Sequence, residues 1–177
     1  RNLREEVNRI IAAGADVLML PFFREVADAE RFIDYVDGRA EVSLLVETAT
    51  AAARIDQLIA LDGIHDIHIG LNDLHLTLGL TSHFELLLSP FMEWLSNMLD
   101  ASGMHWGFGG IGRCKDDRLP IPADLVYAQY PRLRGRSALV SRVFLTPDPF
   151  ALDLPEEVAR ARARMDEWFA ATDEDLD

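Results

Sequence analysis

Cysteine is nearly absent from this chain: Cys114 is the only one. A single thiol can form no internal disulfide and no cysteine zinc cluster. Basic residues are scarce too. Lys and Arg number 17 against 30 Asp and Glu, giving a formal net charge of −13 with no Lys/Arg-rich run. That balance speaks against nucleic acid as a partner and against an anionic membrane surface. Its ordinary consequence is solubility. No apolar run approaches the roughly 20 residues that span a bilayer, and no signal peptide is visible. No stretch is rich enough in Gly, Ser or Pro to separate domains. What is present is 177 residues, 49% hydrophobic and 27% charged, the composition of a globular protein with a real core. A single domain over 1–177 and a cytoplasmic location are expected.

Apolar residues then alternate between two periods. Leu3, Val7, Ile10 and Ile11 recur at helical spacing and stop at Gly14. Asp16 to Pro21 reads as a buried strand, and Arg24 to Val36 as a helix closed by Asp37-Gly38. Strands are expected at Val42–Val46, Asp66–Ile69, His105–Phe108 and Ala138–Phe144. Helices are expected at Ala49–Leu61, Phe84–Leu99 with a break or restart at Pro90, Ala123–Leu133 after Pro122, and from Asp153 or Leu154 to Phe169. An acidic tail covers 172–177. Strands alternating with helices imply parallel strands and right-handed crossovers. Their continuous apolar cores suit strands covered on both faces.

Two acids stand out. Glu47 follows Leu45-Val46 at a strand's carboxyl end, and Asp73 follows Ile69-Gly70-Leu71-Asn72 at the end of the next. Strand ends are where α/β proteins bind ligands, and two carboxylates on neighbouring ends can share one hard divalent cation. Each has a plainer alternative: an Arg partner for Glu47, a helix cap for Asp73, a simple turn at Gly70.

These residues, with Gly14-Ala15-Asp16 to Pro21, Val46-Glu47-Thr48, Ile55 to Leu61, Gly63-Ile64 to Ile69 and Leu78-Gly79, resemble the HpcH/HpaI aldolase and citrate lyase family. The resemblance is looser over Phe108-Gly109-Gly110-Ile111-Gly112-Arg113 and Leu139-Val140-Ser141-Arg142. It implies an α/β fold, an incomplete (β/α)8 TIM barrel whose five or so parallel strands match strands four to eight, with flanking helices. The first three βα units would be lacking, in keeping with a chain that reads as starting inside a helix. It implies Mg2+ or Mn2+ held by Glu47 and Asp73, with a 2-oxo acid such as pyruvate chelating the open positions and the cation stabilising enolate charge as a carbon–carbon bond breaks or forms. Gly70 and Asn72 would meet the substrate carboxylate through loop amides, although relatives often carry Pro-Ala where this chain has Leu71-Asn72. The family's general base and its keto-acid Arg come from early strands, so no catalytic base is named here. Homo-oligomers are common in the family.

Arg113 offers a planar fork for a substrate carboxylate or phosphate, or a surface ion pair with Asp116 or Asp117. Arg142 invites the same two readings. The glycines at 107–112 lack the order of a dinucleotide fingerprint. His65, His68 and His75 lie close in sequence, but strand alternation keeps them from converging on zinc. His83 and His105 read as surface or strand-edge residues, and Cys114 has no evident activating neighbour. The preferred reading is a divalent-metal-dependent lyase of the aldolase type. A close variant is a citrate-lyase-like or malyl-CoA-lyase-like enzyme acting on acyl thioesters. A reading of another class is a non-catalytic α/β binding or assembly module with structural acids.

Overall fold

The computed structural model describes residues 2–145 and 152–172. The contacts divide the chain into two compact units, Arg1–Trp106 and Gly107–Asp177. Each is taken by itself.

The first unit opens with α1 (Leu3–Ala12), whose first turn carries Glu5 and Glu6 and whose last turn carries Arg9. Both placements complement the helix dipole. Gly14, at φ +91°, turns the chain into β1 (Val17–Leu20). In α2 (Val26–Val36) the Asp28 carboxylate reaches back to the amide of Glu25 at 3.1 Å, and Asp37 closes the helix at φ +50°. Next come β2 (Glu41–Val46), the short helices α3 (Ala49–Ala52) and α4 (Ile55–Leu58), and β3 (Asp66–Gly70). Three helices follow: α5 (Leu71–Thr77), α6 (His83–Leu87) and α7 (Pro90–Ser102).

Strands β1, β2 and β3 pair in parallel, with Leu20 beside Leu44 and Val46 beside Ile69. At the other edge of β3 the Ile67 N–H donates to the His105 carbonyl at 3.0 Å. Leu18, Leu20, Val42, Leu44, Val46, Ile67 and Ile69 are all buried. They alternate onto one face, where α2 packs on β2 and α5 on β3. The opposite face of β2 and β3 carries Ser43, Leu45, Asp66 and His68. The alternation reaches Gly70 at the end of β3 and Glu47 just past β2.

The second unit holds β4 (Trp106–Ile111, all but its first residue), α8 (Ala123–Tyr127), α9 (Gln129–Leu133), β5 (Ser137–Val140), a 3-10 turn at Arg142–Leu145 and α10 (Leu154–Phe169). Strands β4 and β5 are parallel, with Phe108 beside Ala138. Gly107 is obligatory here, since a Cβ would sit 1.9 Å from the Ser137 carbonyl oxygen. Phe108 stacks on Tyr130 at 4.0 Å between ring centroids, and the Tyr130 hydroxyl donates to the Phe108 carbonyl at 2.8 Å. Arg164 of α10 grips both carboxylate oxygens of Asp124 on α8, each at 2.8 Å.

The fold class is therefore α/β, five parallel strands with flanking helices, an incomplete (β/α)8-type barrel as expected. Several boundaries differ from the sequence reading. The helix expected over Ala49–Leu61 is two pieces. It parts at Ala53-Arg54, where the Arg54 guanidinium takes the Thr50 carbonyl at 2.8 Å and pairs with Glu25 at 3.1 Å. The helix expected over Ala123–Leu133 divides at Ala128, because Pro131 has no N–H to return to the Tyr127 carbonyl. The strand expected over Ala138–Phe144 stops at Val140, and Phe144 donates its amide to Ser141 at 3.0 Å within the 3-10 turn. Apolar Phe144 looks like strand because burial, not extension, governs it. Pro90 restarts a helix as anticipated, with the Ser89 hydroxyl capping the Met92 amide at 3.1 Å. The acidic tail expected at 172–177 lies, from 173 onward, outside the described residues. Among the described residues no helix is long and apolar enough to cross a membrane.

Leu44 is fully buried in the middle strand of the first unit, whereas Leu139 is 45% exposed in the second. Leu44→Ala is expected to cost about 2–5 kcal/mol through lost burial and a residual cavity. Leu139→Ala should cost under about 0.5 kcal/mol. Urea denaturation midpoints of the two variants check this.

Candidate functional site

The candidate acids are set by β2 and β3. Glu47 is the first residue past β2 and only 4% exposed. Its Oε1 accepts the Phe22 N–H at 2.9 Å. Phe22 lies just after β1 with its backbone in the left-handed region, at φ +52°. The neighbouring residues reinforce this tie. The Thr48 hydroxyl donates to the Phe23 carbonyl at 2.8 Å and caps α3 by accepting the Ala51 amide at 3.2 Å. The chain after β1 is thus fastened twice to the end of β2.

Asp73 stands in the first turn of α5, beyond β3. Its negative charge reaches Glu47. Burial pushes the Glu47 carboxyl above its ordinary range, the Phe22 amide pulls it back, and Asp73 adds to the rise. Neither acid has a basic partner among the described residues, so Glu47 does not take the ion-pair alternative. Asp73 does not cap its helix either: α5 starts after Gly70 with no side-chain cap.

Gly70 is not there for backbone freedom, since its φ is −82°. It is there for space. A Cβ on Gly70 would lie 2.7 Å from the Glu47 Cβ and 3.1 Å from its Oε2, inside van der Waals contact. The absent side chain admits the carboxylate itself. Asn72 is exposed on α5. At the far end of this helix the Thr77 hydroxyl accepts the Ala49 amide at 2.9 Å and donates to the Leu74 carbonyl at 3.0 Å, tying α5 to the start of α3.

The structure therefore brings Glu47, Gly70 and Asp73 together at one end of the first unit. Arg113 belongs to the second unit, where its Nη2 lies 3.4 Å from Asp116. Asp116 also takes Arg118 through both oxygens, at 2.7 and 2.6 Å, and the Arg118 guanidinium holds its carboxyl well below the usual range. Arg142 opens the 3-10 turn. The three neighbouring histidines go separate ways. His65 accepts the Val42 amide at 3.1 Å near the start of β2. His68 is buried within β3 and pushed down to about 4 by that burial. His75 meets the Leu71 carbonyl at 3.0 Å on α5. His105 contacts Asp66 at 2.9 Å just before β4, and His83 opens α6 beside His75. Cys114 lies 3.7 Å from the Tyr127 hydroxyl, which donates to the Gly112 carbonyl at 2.9 Å. No group of three or more His, Cys, Asp or Glu side chains able to hold a metal occurs among the described residues.

Phe22 and Thr48 escaped the sequence reading as parts of this site. The available signal was Pro21-Phe22-Phe23, a proline and two aromatics directly after an apolar strand. Nothing in that triplet announces an amide aimed at a carboxylate 25 residues away.

The donor set fits a hard cation. It is oxygen only, one acid is buried and short of compensation, and Glu47 Oε2 takes no hydrogen bond from a described residue while Oε1 is held.

No family model matches the chain, and no curated protein does. Solved structures match in fold. RipC from Yersinia pestis aligns at a TM-score of 0.62 and 12% identity, over 98% of this chain and 73% of that one. The HpcH/HpaI aldolase from Desulfitobacterium hafniense DCB-2 aligns at 0.61 and 18% identity, over 93% of this chain and 69% of that one. At these identities the likeness is one of fold: the resemblance read from the sequence holds at the level of the α/β barrel.

Two outcomes follow from this geometry. Gly70→Ala is expected to destabilise the protein by about 1–3 kcal/mol, as overpacking does, seen as a lower urea midpoint. Glu47→Gln keeps an acceptor for Phe22 and removes the buried charge. A carboxyl whose folded-state pKa is raised favours folding only while protonated, and that contribution is lost as pH rises through the folded value. With divalent ions chelated, Glu47→Gln should therefore melt higher than wild type at pH 7. The gap should close as pH falls into the carboxylate range.

Proposed function

We propose that this chain carries the cation-holding part of a divalent-metal-dependent carbon–carbon lyase of the aldolase type, acting on a 2-oxo acid such as pyruvate. The observation that carries the reading is the uncompensated pair of Glu47 and Asp73, one buried and both within electrostatic reach at the end of adjacent elements. Burying a charge beside a like charge is costly, and a divalent cation reverses the sign of both penalties. The aldolase fold of the Desulfitobacterium hafniense structure supports the same class.

In this reading Glu47 Oε2 and the Asp73 carboxylate hold Mg2+ or Mn2+. Phe22 orients Glu47 through Oε1, and Gly70 leaves room for the carboxylate. The cation supplies Lewis acidity toward the keto oxygen of the substrate. With few protein ligands, coordination positions remain for water and substrate. Gly70 and Asn72 contribute backbone next to Asp73 for the substrate carboxylate. No general base is assigned within the chain. The setting is a homo-oligomer in the cytoplasm, with small molecules rather than nucleic acid or membrane as partners. The exposed apolar side chains Leu139, Val140, Val143 and Phe169 support self-association.

Calorimetric titration with Mn2+ tests the reading. Wild type should bind, and the double variant Glu47→Gln/Asp73→Asn should not. Equal heats for the two proteins would remove the metal claim and, with it, the lyase.

A further inference from the structure

The loop after β1 holds a residue that the lyase reading uses only in passing. Phe22 combines three properties that rarely coincide. Its backbone is left-handed, at φ +52°. The residue is 63% exposed, so packing does not explain that conformation. Its N–H donates at 2.9 Å to a carboxylate that is almost wholly buried. For a bulky non-glycine residue a positive φ is an outlier, retained where the surroundings over-determine it.

The surroundings do so here. Pro21 precedes Phe22, with φ confined by its ring. The Phe23 carbonyl is held by the Thr48 hydroxyl at 2.8 Å. With both flanks set, rotation of Phe22 into the left-handed region is what turns its amide toward Glu47. That amide then occupies Oε1. Oε2 lies on the side of Gly70, 3.1 Å from where a Cβ would be, and takes no hydrogen bond from a described residue. One oxygen is fastened and the other presented.

We infer that Phe22 is a positioning residue for the cation site: its left-handed backbone aims the N–H that makes Glu47 a one-oxygen ligand through Oε2. This rests on the reading of Glu47 and Asp73 as cation ligands. The requirement is on backbone conformation and the amide proton, not on the aromatic ring. It therefore predicts an order of substitutions opposite to the order set by hydrophobic packing. Gly and Asn enter the left-handed region most readily, and β-branched residues least.

The experiment measures Mn2+ affinity of the whole chain, by the electron paramagnetic resonance signal of free Mn2+ and by calorimetry. The proteins are wild type, Phe22→Gly, Phe22→Asn, Phe22→Ala and Phe22→Ile, with circular dichroism to establish folding. Phe22→Gly and Phe22→Asn should hold wild-type affinity. Phe22→Ile should bind about 10-fold to 100-fold more weakly, the range for loss of an outer-shell partner. If Phe22→Ile does not fold, the Asn and Ala variants carry the test, and Asn must bind more tightly than Ala. A purely structural role for Phe22 would change melting temperature and leave Mn2+ affinity alone. Affinities that are equal across the folded variants, or that follow side-chain hydrophobicity, would overturn the inference while leaving Glu47 and Asp73 as ligands. A wild type that takes up no Mn2+ overturns both.

Discussion

The first unit is organised around the difficulty of keeping a carboxylate out of water. Glu47 loses hydration at the end of β2 and meets the charge of Asp73. Among the described residues a single amide, from Phe22, answers that carboxylate. Everything close by adapts to that burial. Gly70 gives up its side chain so that the carboxylate fits. Thr48 ties the strand end to Phe23, which keeps the donating segment in place. Thr77 ties α5, and so Asp73, to the start of α3. The support for this one buried acid is thus spread over four segments of the chain.

The second unit is held by a different kind of interaction. Its core depends on aromatic packing and on tyrosine hydroxyls that satisfy carbonyls along and after β4. Charges pair locally, Arg164 with Asp124 and Arg118 with Asp116, whose side chain is only 4% exposed. Arg113 shares the second of these networks. Glu47 and Asp73 in the first unit have no basic partner among the described residues, whereas Asp116 and Asp124 in the second are each held by arginine.

Much of the fold was legible in the residues because it rests on local rules. Apolar runs between helical periods marked the strands, Asp37 marked a helix end and Pro90 a helix restart. The failures came where a tertiary contact overrode the local pattern. Arg54 opened a helix by reaching for Thr50 and Glu25. Burial of Phe144 in a turn imitated a strand. Helix α5 went unread because Leu71 and Leu74 alone are too short a period to declare it.

The sequence by itself determined the order of the strands, the acidic charge balance, and the presence of Glu47 and Asp73 just past successive strands, since each depends on residue type and spacing. Only the tertiary structure decided that Gly70 serves space rather than backbone freedom, and that the group answering Glu47 is the amide of Phe22 instead of an arginine. An amide is common to every residue but proline, so composition cannot mark it. What selects it is the direction in which a distant loop happens to turn.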